Sequence, residues 1–214
     1  MQTAPTTPTL LRMRRWDVPY NLERLVGLVR QAAAATPSPD LILAPEGILE
    51  GYPVMDIRSG DVAAEHMRTV AFTDDSPPIA RLRALAAELR VCLAFGYAEQ
   101  VGDEIFNCAA FVDHTGAICG KYHKLQLAEG HVDDGSCWYN AVGAHGRAFD
   151  TPLGRVGFLI CNDRWNSVTR RPRPRFRPQF CPSPHPPHHH QPRLVSLVCR
   201  TWRGCPCWTA RSCC

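Results

Sequence analysis

A five-residue apolar run, Val156-Gly157-Phe158-Leu159-Ile160, stops at a cysteine and turns polar at once, as Cys161-Asn162-Asp163-Arg164-Trp165. A run this short and apolar predicts a strand buried on both faces. A cysteine at the carboxyl end of such a strand stands where open α/β sheets place their ligands. A thiol there is held by a rigid element yet open enough to react. Strand cysteines are more often inert small hydrophobes, so Cys161 is a candidate nucleophile only if partners exist elsewhere in the chain.

The rest of the body alternates helical and strand patterns. Leu10 to Trp16 predicts a first strand, although Arg12, Arg14 and Arg15 suit a central one poorly. Leu22, Leu25, Val26, Val29, Ala32 and Ala33 form one stripe, so a helix is expected over 21–35, ended by Pro37 and Pro39. Asp40 to Ala44 reads as a buried strand that delivers Glu46, and a loop follows to Gly60. Val62 to Phe72 suits a short helix. Ser76-Pro77 is a helix start, with serine as cap and proline in the first turn. Strands are expected at 91–98, 105–112 and 117–122, the last two joined by Asp113-His114-Thr115-Gly116. Residues 128–146 read as polar loop, and 147–149 and 155–160 as a final pair. Helices alternating with buried strands predict a layered α/β domain.

Charge divides the chain in two. Residues 1–166 hold 15 Lys and Arg against 20 Asp and Glu, a net −5, whereas 167–214 hold nine Arg and no acid, a net +9. The basic balance therefore belongs to the tail and gives no reason to expect nucleic-acid binding by the body. Five cysteines lie in the body, at 92, 108, 119, 137 and 161, an odd and scattered set with no Cys-x-x-Cys. That pattern argues against a disulfide framework and a redox motif, and suits a reducing cytoplasm. The N-terminus lacks the apolar core of a secretory signal, and no apolar run approaches the ~20 residues of a membrane span.

Partners for Cys161 stand upstream. Pro45-Glu46-Gly47 follows one buried strand, and Tyr122-His123-Lys124-Leu125 follows another. In this order, with Leu159-Ile160-Cys161-Asn162-Asp163-Arg164-Trp165, the chain resembles the nitrilase, or carbon–nitrogen hydrolase, superfamily. The resemblance covers about 17–166 and implies an α-β-β-α sandwich, incomplete at its C-terminus. It also implies a catalytic set of Glu46, Lys124 and Cys161. Hydrolysis of an amide, carbamoyl group or nitrile needs an activated nucleophile, a proton shuttle and charge stabilisation. Cys161 would form the thioester, Glu46 would move the protons, and Lys124 would face the oxyanion together with the backbone N–H of Asn162.

Supporting roles are expected for Tyr52 in the loop behind Glu46, and for Glu129 as a second glutamate, with Asp133 and Asp134 as rivals. Asp163 and Arg164 are expected to hold the turn as a charge-assisted pair. His123 neighbours Lys124 but should face the other way if the strand continues. No metal or cofactor is implied, and the partner is a small C–N substrate rather than nucleic acid or membrane. The family is typically homo-oligomeric, which is not carried over to this chain.

After Asn166 the grammar changes. Residues 167–214 are rich in Arg, Pro, His and Cys, with nine prolines and no period beyond Leu194 to Val198. Cys205-Pro206-Cys207 lacks the two-residue spacer of strong zinc motifs. The expected organisation is a disordered segment at 1–9, a partial hydrolase domain at 10–166 and a disordered low-complexity tail at 167–214. The tail is expected to be the product of truncation or a frame shift, and the chain as written to lack activity.

Overall fold

The computed structural model describes residues 12–53, 56, 57, 59–127, 143, 148–164 and 193–197, with only the backbone described for Arg164 and 193–197. Helix α1 (Val18–Ala33) starts earlier than its apolar stripe predicts. Asp17 caps it, accepting from Tyr20 N at 3.1 Å, and Pro19 in the first turn needs no donor. Helix α2 (Pro77–Leu89) buries Ile79, Leu82, Leu85 and Ala86. Ser76 holds the cap position, but its hydroxyl accepts from Thr73 N at 2.9 Å instead of capping the helix. Between the helices, Ala64–Val70 is a 3-10 helix.

The first strand expected over Leu10 to Trp16 does not form across the residues described. Arg12 to Arg14 are irregular, and Trp16 turns with φ 64°. Asn21 replaces strand pairing there. Buried in α1, it accepts from Arg14 N at 2.8 Å and donates to Arg14 O at 2.7 Å and Leu49 O at 2.9 Å. Three arginines keep this segment at the surface, and one buried amide ties it to the loop after β1.

The described residues form seven strands: β1 (Leu41–Leu43), β2 (Cys92–Val101), β3 (Glu104–Val112), β4 (Ile118–His123), β5 (Phe149–Thr151), β6 (Gly154–Ile160) and β7 (Arg193–Leu197). One sheet has the order β1-β2-β3-β4, with β1 parallel to β2 and the rest antiparallel. The other has the order β5-β6-β7, with β6 and β7 parallel. Of the tail expected to be disordered, 193–197 are thus a strand, the one stretch whose pattern had stood out; the remainder lies outside the described residues, as does 1–9.

Alternation along the strands gives the first sheet two apolar faces. Leu93, Phe95, Tyr97, Cys108, Ala110 and Val112 pack with α1 and α2. Cys92, Ala94, Ala109, Phe111 and Tyr122 pack on Val156, Phe158 and Ile160 of β6. The second contact is close: a Cβ on Gly120 would lie 2.3 Å from the Phe149 ring. The described residues therefore form helices, sheet and sheet in three layers, the α/β sandwich architecture the motifs imply. One expectation is corrected. Strand β6 is buried on its inner face only, with Gly157 and Leu159 half-buried, and β1 at the sheet edge leaves Leu43 50 % exposed.

Candidate active site

The segment that carries Glu46 prolongs β1 along β2. Ala44 N donates to Ala94 O at 2.8 Å, Gly96 N to Pro45 O at 3.2 Å, and Ile48 N to Gly96 O at 3.0 Å. This approach requires glycine at 96, because a Cβ there would stand 2.7 Å from Glu46 Cα and 2.9 Å from Gly47 N. Gly47 then turns with φ 60°, and its carbonyl accepts from Gly51 N at 3.0 Å and Tyr52 N at 3.2 Å. Tyr52 packs against the buried cluster of Ile57, Met67, Val70, Ala98 and Ile105. Glu50 is fully buried and accepts from Ala98 N at 3.2 Å.

Lys124 leaves the end of β4. Its N–H donates to Asn107 O at 2.8 Å, and its carbonyl accepts from Gly143 N at 2.9 Å. The side chain runs into the interior, where Nζ donates to Glu46 Oε1 at 2.7 Å. Asn107 Nδ2 donates to the same oxygen at 2.6 Å. Glu46, Asn107 and Lys124 are all at most 1 % exposed. A buried ion pair persists only when its remaining polar groups are also bonded; Asn107 supplies one such bond. Its own Oδ1 is buried and accepts nothing among the described residues, at a cost of about 1–3 kcal/mol.

Cys161 begins a 3-10 turn (Cys161–Arg164) directly after β6. It is half-buried, packs against the apolar layer between the sheets, and has φ 43°. For a residue with a Cβ this left-handed conformation costs about 1–2 kcal/mol, so the turn must be held from outside. Asp163 holds it. One carboxylate oxygen accepts from Tyr122 Oη at 2.8 Å and Ile160 N at 3.0 Å, and the other from Gln126 N at 2.8 Å. Asn162 Nδ2 adds a bond to Leu127 O at 3.4 Å. Burial, then the Asp163 charge, push the Tyr122 phenol upward and keep it a donor. Tyr122 and Gln126 flank Lys124, so the cysteine turn is fastened to the segment that carries the lysine.

The Arg164 side chain, and with it the expected Asp163–Arg164 pairing, lies outside the described residues. Glu129, Asp133 and Asp134 also lie outside the described residues. His123 faces the helix side of the sheet: it registers with Cys108, stacks on Phe106 with centroids 4.0 Å apart, and contacts Glu99 Oε2 at 2.5 Å. Glu99 also takes Lys121, which bridges to both oxygens of Asp74 at 2.9 Å. Burial pushes the Glu99 carboxyl up, but the bonds from His123 and Lys121 outweigh it and hold the group at about 2. Glu99, Cys108 and His123 place ligand atoms within 4.8 Å of one another. The donor set suits zinc, but Lys121 already neutralises the carboxylate and burial keeps the Cys108 thiol protonated. The cluster reads as an ion-pair anchor for β4.

Asn107, Gly96 and Glu99 were not singled out as site residues. For Asn107 a signal exists: it is the lone amide in the apolar run Ile105 to Val112, and a polar residue in a core strand is informative. Gly96 and Glu99 carry no such signal, since their parts depend on what approaches them.

The carbon-nitrogen hydrolase family profile matches residues 2–173. The chain is 29 % identical over 159 residues to the bifunctional nitrilase/nitrile hydratase NIT4 of Oryza sativa subsp. japonica, covering 68 % of this chain and 42 % of that protein. It is 27 % identical over 149 residues to the N-carbamoylputrescine amidase of Arabidopsis thaliana, covering 70 % and 48 %. The chain thus spans about half the length of the curated relatives it matches. Its fold is similar to that of XC1258 from Xanthomonas campestris, a CN-hydrolase superfamily protein, with TM-score 0.58, 22 % identity, and coverage of 75 % of this chain and 54 % of the other. No helix among the described residues is long and apolar enough to cross a membrane. The match over most of the chain agrees with the sandwich and with the three ordered motifs: this chain belongs to the carbon-nitrogen hydrolase family.

Proposed function

We propose that the chain carries the reacting groups of an amidase or N-carbamoyl amidohydrolase, a hydrolase of non-peptide C–N bonds. Cys161 is the nucleophile, Glu46 the acid–base, and Lys124 with the backbone N–H of Asn162 the oxyanion donors. The supporting observation is the fully buried contact between Lys124 Nζ and Glu46 Oε1, 2.7 Å long between residues 78 apart in the chain. A solvated loop acid and a surface lysine would not be buried together.

Glu46 takes the Cys161 proton as sulfur attacks the carbonyl carbon. The developing oxyanion is met by Lys124, which donates and cannot accept. Glu46 then passes its proton to the departing ammonia or amine, leaving a thioester. Next it takes a proton from water, hydroxide attacks the thioester, and thiol and acid are released. A nitrile first adds the thiol to give a thioimidate, its nitrogen taking the proton from Glu46; one water then converts this to the thioester with loss of ammonia, and a second water releases the acid. The four free cysteines among the described residues, Cys92, Cys108, Cys119 and Cys161, agree with a reducing, cytoplasmic setting. Glu129 is retained as the second glutamate of this reading, and the partner is a small amide, carbamoyl compound or nitrile.

A second reading keeps the cluster without turnover; the half-exposed Leu43 on an edge strand speaks for an incompletely covered body. An ammonia-release assay under reducing conditions, across a panel of small amides, ureido acids and nitriles, separates the two. The catalytic reading expects release that Cys161→Ala and Glu46→Gln abolish and that Lys124→Ala lowers by on the order of 10²–10³. Release undiminished in Cys161→Ala would overturn it, and no release from the unaltered chain would support the second reading.

A further inference from the structure

We propose that Asn107 is a positioning residue for the Glu46–Lys124 pair: it aligns both groups at once, one through its main chain and one through its side chain. The proposal rests on the reading of Glu46 as acid–base and Lys124 as donor.

Asn107 lies inside β3, opposite Ala98 of β2, in the middle layer of the molecule. Its carbonyl accepts from Lys124 N at 2.8 Å, which sets where the lysine leaves the sheet. Its Nδ2 donates to Glu46 Oε1 at 2.6 Å, which sets how the carboxylate is turned. Lys124 alone would not fix that rotation. An ammonium on a four-carbon stem follows its acceptor through many orientations, whereas an amide two bonds from a paired strand has almost no freedom. With Nδ2 and Nζ both on Oε1, the carboxylate is held from two directions. A group that takes a proton from a thiol and returns it to a departing nitrogen must be held in reach of both.

The amide's orientation agrees. Turned over, Asn107 would set Oδ1 against an anionic oxygen, so the bond assigns Nδ2 to the carboxylate. The buried Oδ1 has no partner among the described residues, a loss that an apolar residue of the same size would avoid. Among the described residues, Lys124 meets Glu46 on the same oxygen, and Glu50 is buried in the same loop on Ala98 N.

The test follows Glu46 directly, in the full 214-residue chain labelled with ¹³C at the glutamate carboxyls, Glu46 being assigned by Glu46→Gln. A donor on the charged form favours it, so Asn107→Leu is expected to raise the Glu46 titration midpoint by roughly one pH unit, the effect of one hydrogen bond to a charged group. Asn107→Asp is expected to raise it further, because a second carboxylate replaces the donor. In the unaltered chain the Asn107 side-chain ¹⁵N resonance is expected to titrate with the same midpoint as Glu46, a reading that needs no variant to fold. A residue that merely fills space would lower Tm in Asn107→Leu and leave the midpoint where it was. An unmoved midpoint in the folded variants, or an Asn107 resonance blind to Glu46, would overturn the proposal. None of these readings needs turnover, so failure of the positioning role and failure of the hydrolase reading are told apart.

Discussion

Glu99 is a buried acid that stays ionised because its partners outweigh its burial. Its carboxyl titrates at about 2 in the folded chain, below the ordinary 4.5. The depressed value means that its ionisation stabilises the fold fully above about pH 4.5, and that this contribution is lost as the pH falls from there toward 2. Glu99→Gln is expected to cost about 3 kcal/mol near pH 7, since it removes the buried carboxylate that His123 and Lys121 share and leaves Lys121 with Asp74 alone. The gap from the unaltered chain should narrow by pH 3, where part of the linkage is already lost. Urea unfolding at the two pH values measures it. A gap that is equal at both would show that the carboxylate's charge contributes nothing.

Between elements, the decisive contact is the one that lets the Glu46 loop lie against β2. A Cβ at Gly96 would meet main-chain atoms of Glu46, Gly47 and Pro45, which cannot swing aside as a side chain would. Gly96→Ala is therefore expected to destabilise by about 1–3 kcal/mol, as overpacking does. Gly27, exposed in α1, supplies the contrast, because a Cβ added there would meet nothing within 4 Å. Gly27→Ala should stabilise by about 0.5–1 kcal/mol through helix propensity alone. Thermal unfolding of the pair checks both signs, and a neutral Gly96→Ala would mean that the loop is free to shift. The turn after β6 follows the same logic, because its left-handed Cys161 depends on Asp163 reaching Tyr122 in β4 and Gln126 just after it.

Across the whole molecule, stability should be graded by cover. Strands β2 and β3 are paired on both sides, and their sheet lies between the helices and β6. β1 and β5 lie at sheet edges, are three residues long, and are only partly buried. Hydrogen exchange is expected to be slowest in β2 and β3, and faster by more than about tenfold in β1 and β5. Uniform protection across the seven strands would contradict this layering.

What the sequence determined by itself is local. The period of α1 and α2, the turn Asp113 to Gly116, the strand runs and the order of three motifs were legible, because hydrophobic period and turn chemistry act between near neighbours. From those came the α/β class and the family. The tertiary structure alone decided the rest. It denied Leu10 to Trp16 a strand across its described residues and left one face of β6 half-covered. It also joined Glu46 to Lys124 and Asn107, residues 78 and 61 apart in the chain. No local pattern encodes such a meeting. It depends on strand register, on the missing side chain of Gly96, and on layers whose packing chooses which side of each strand is inside.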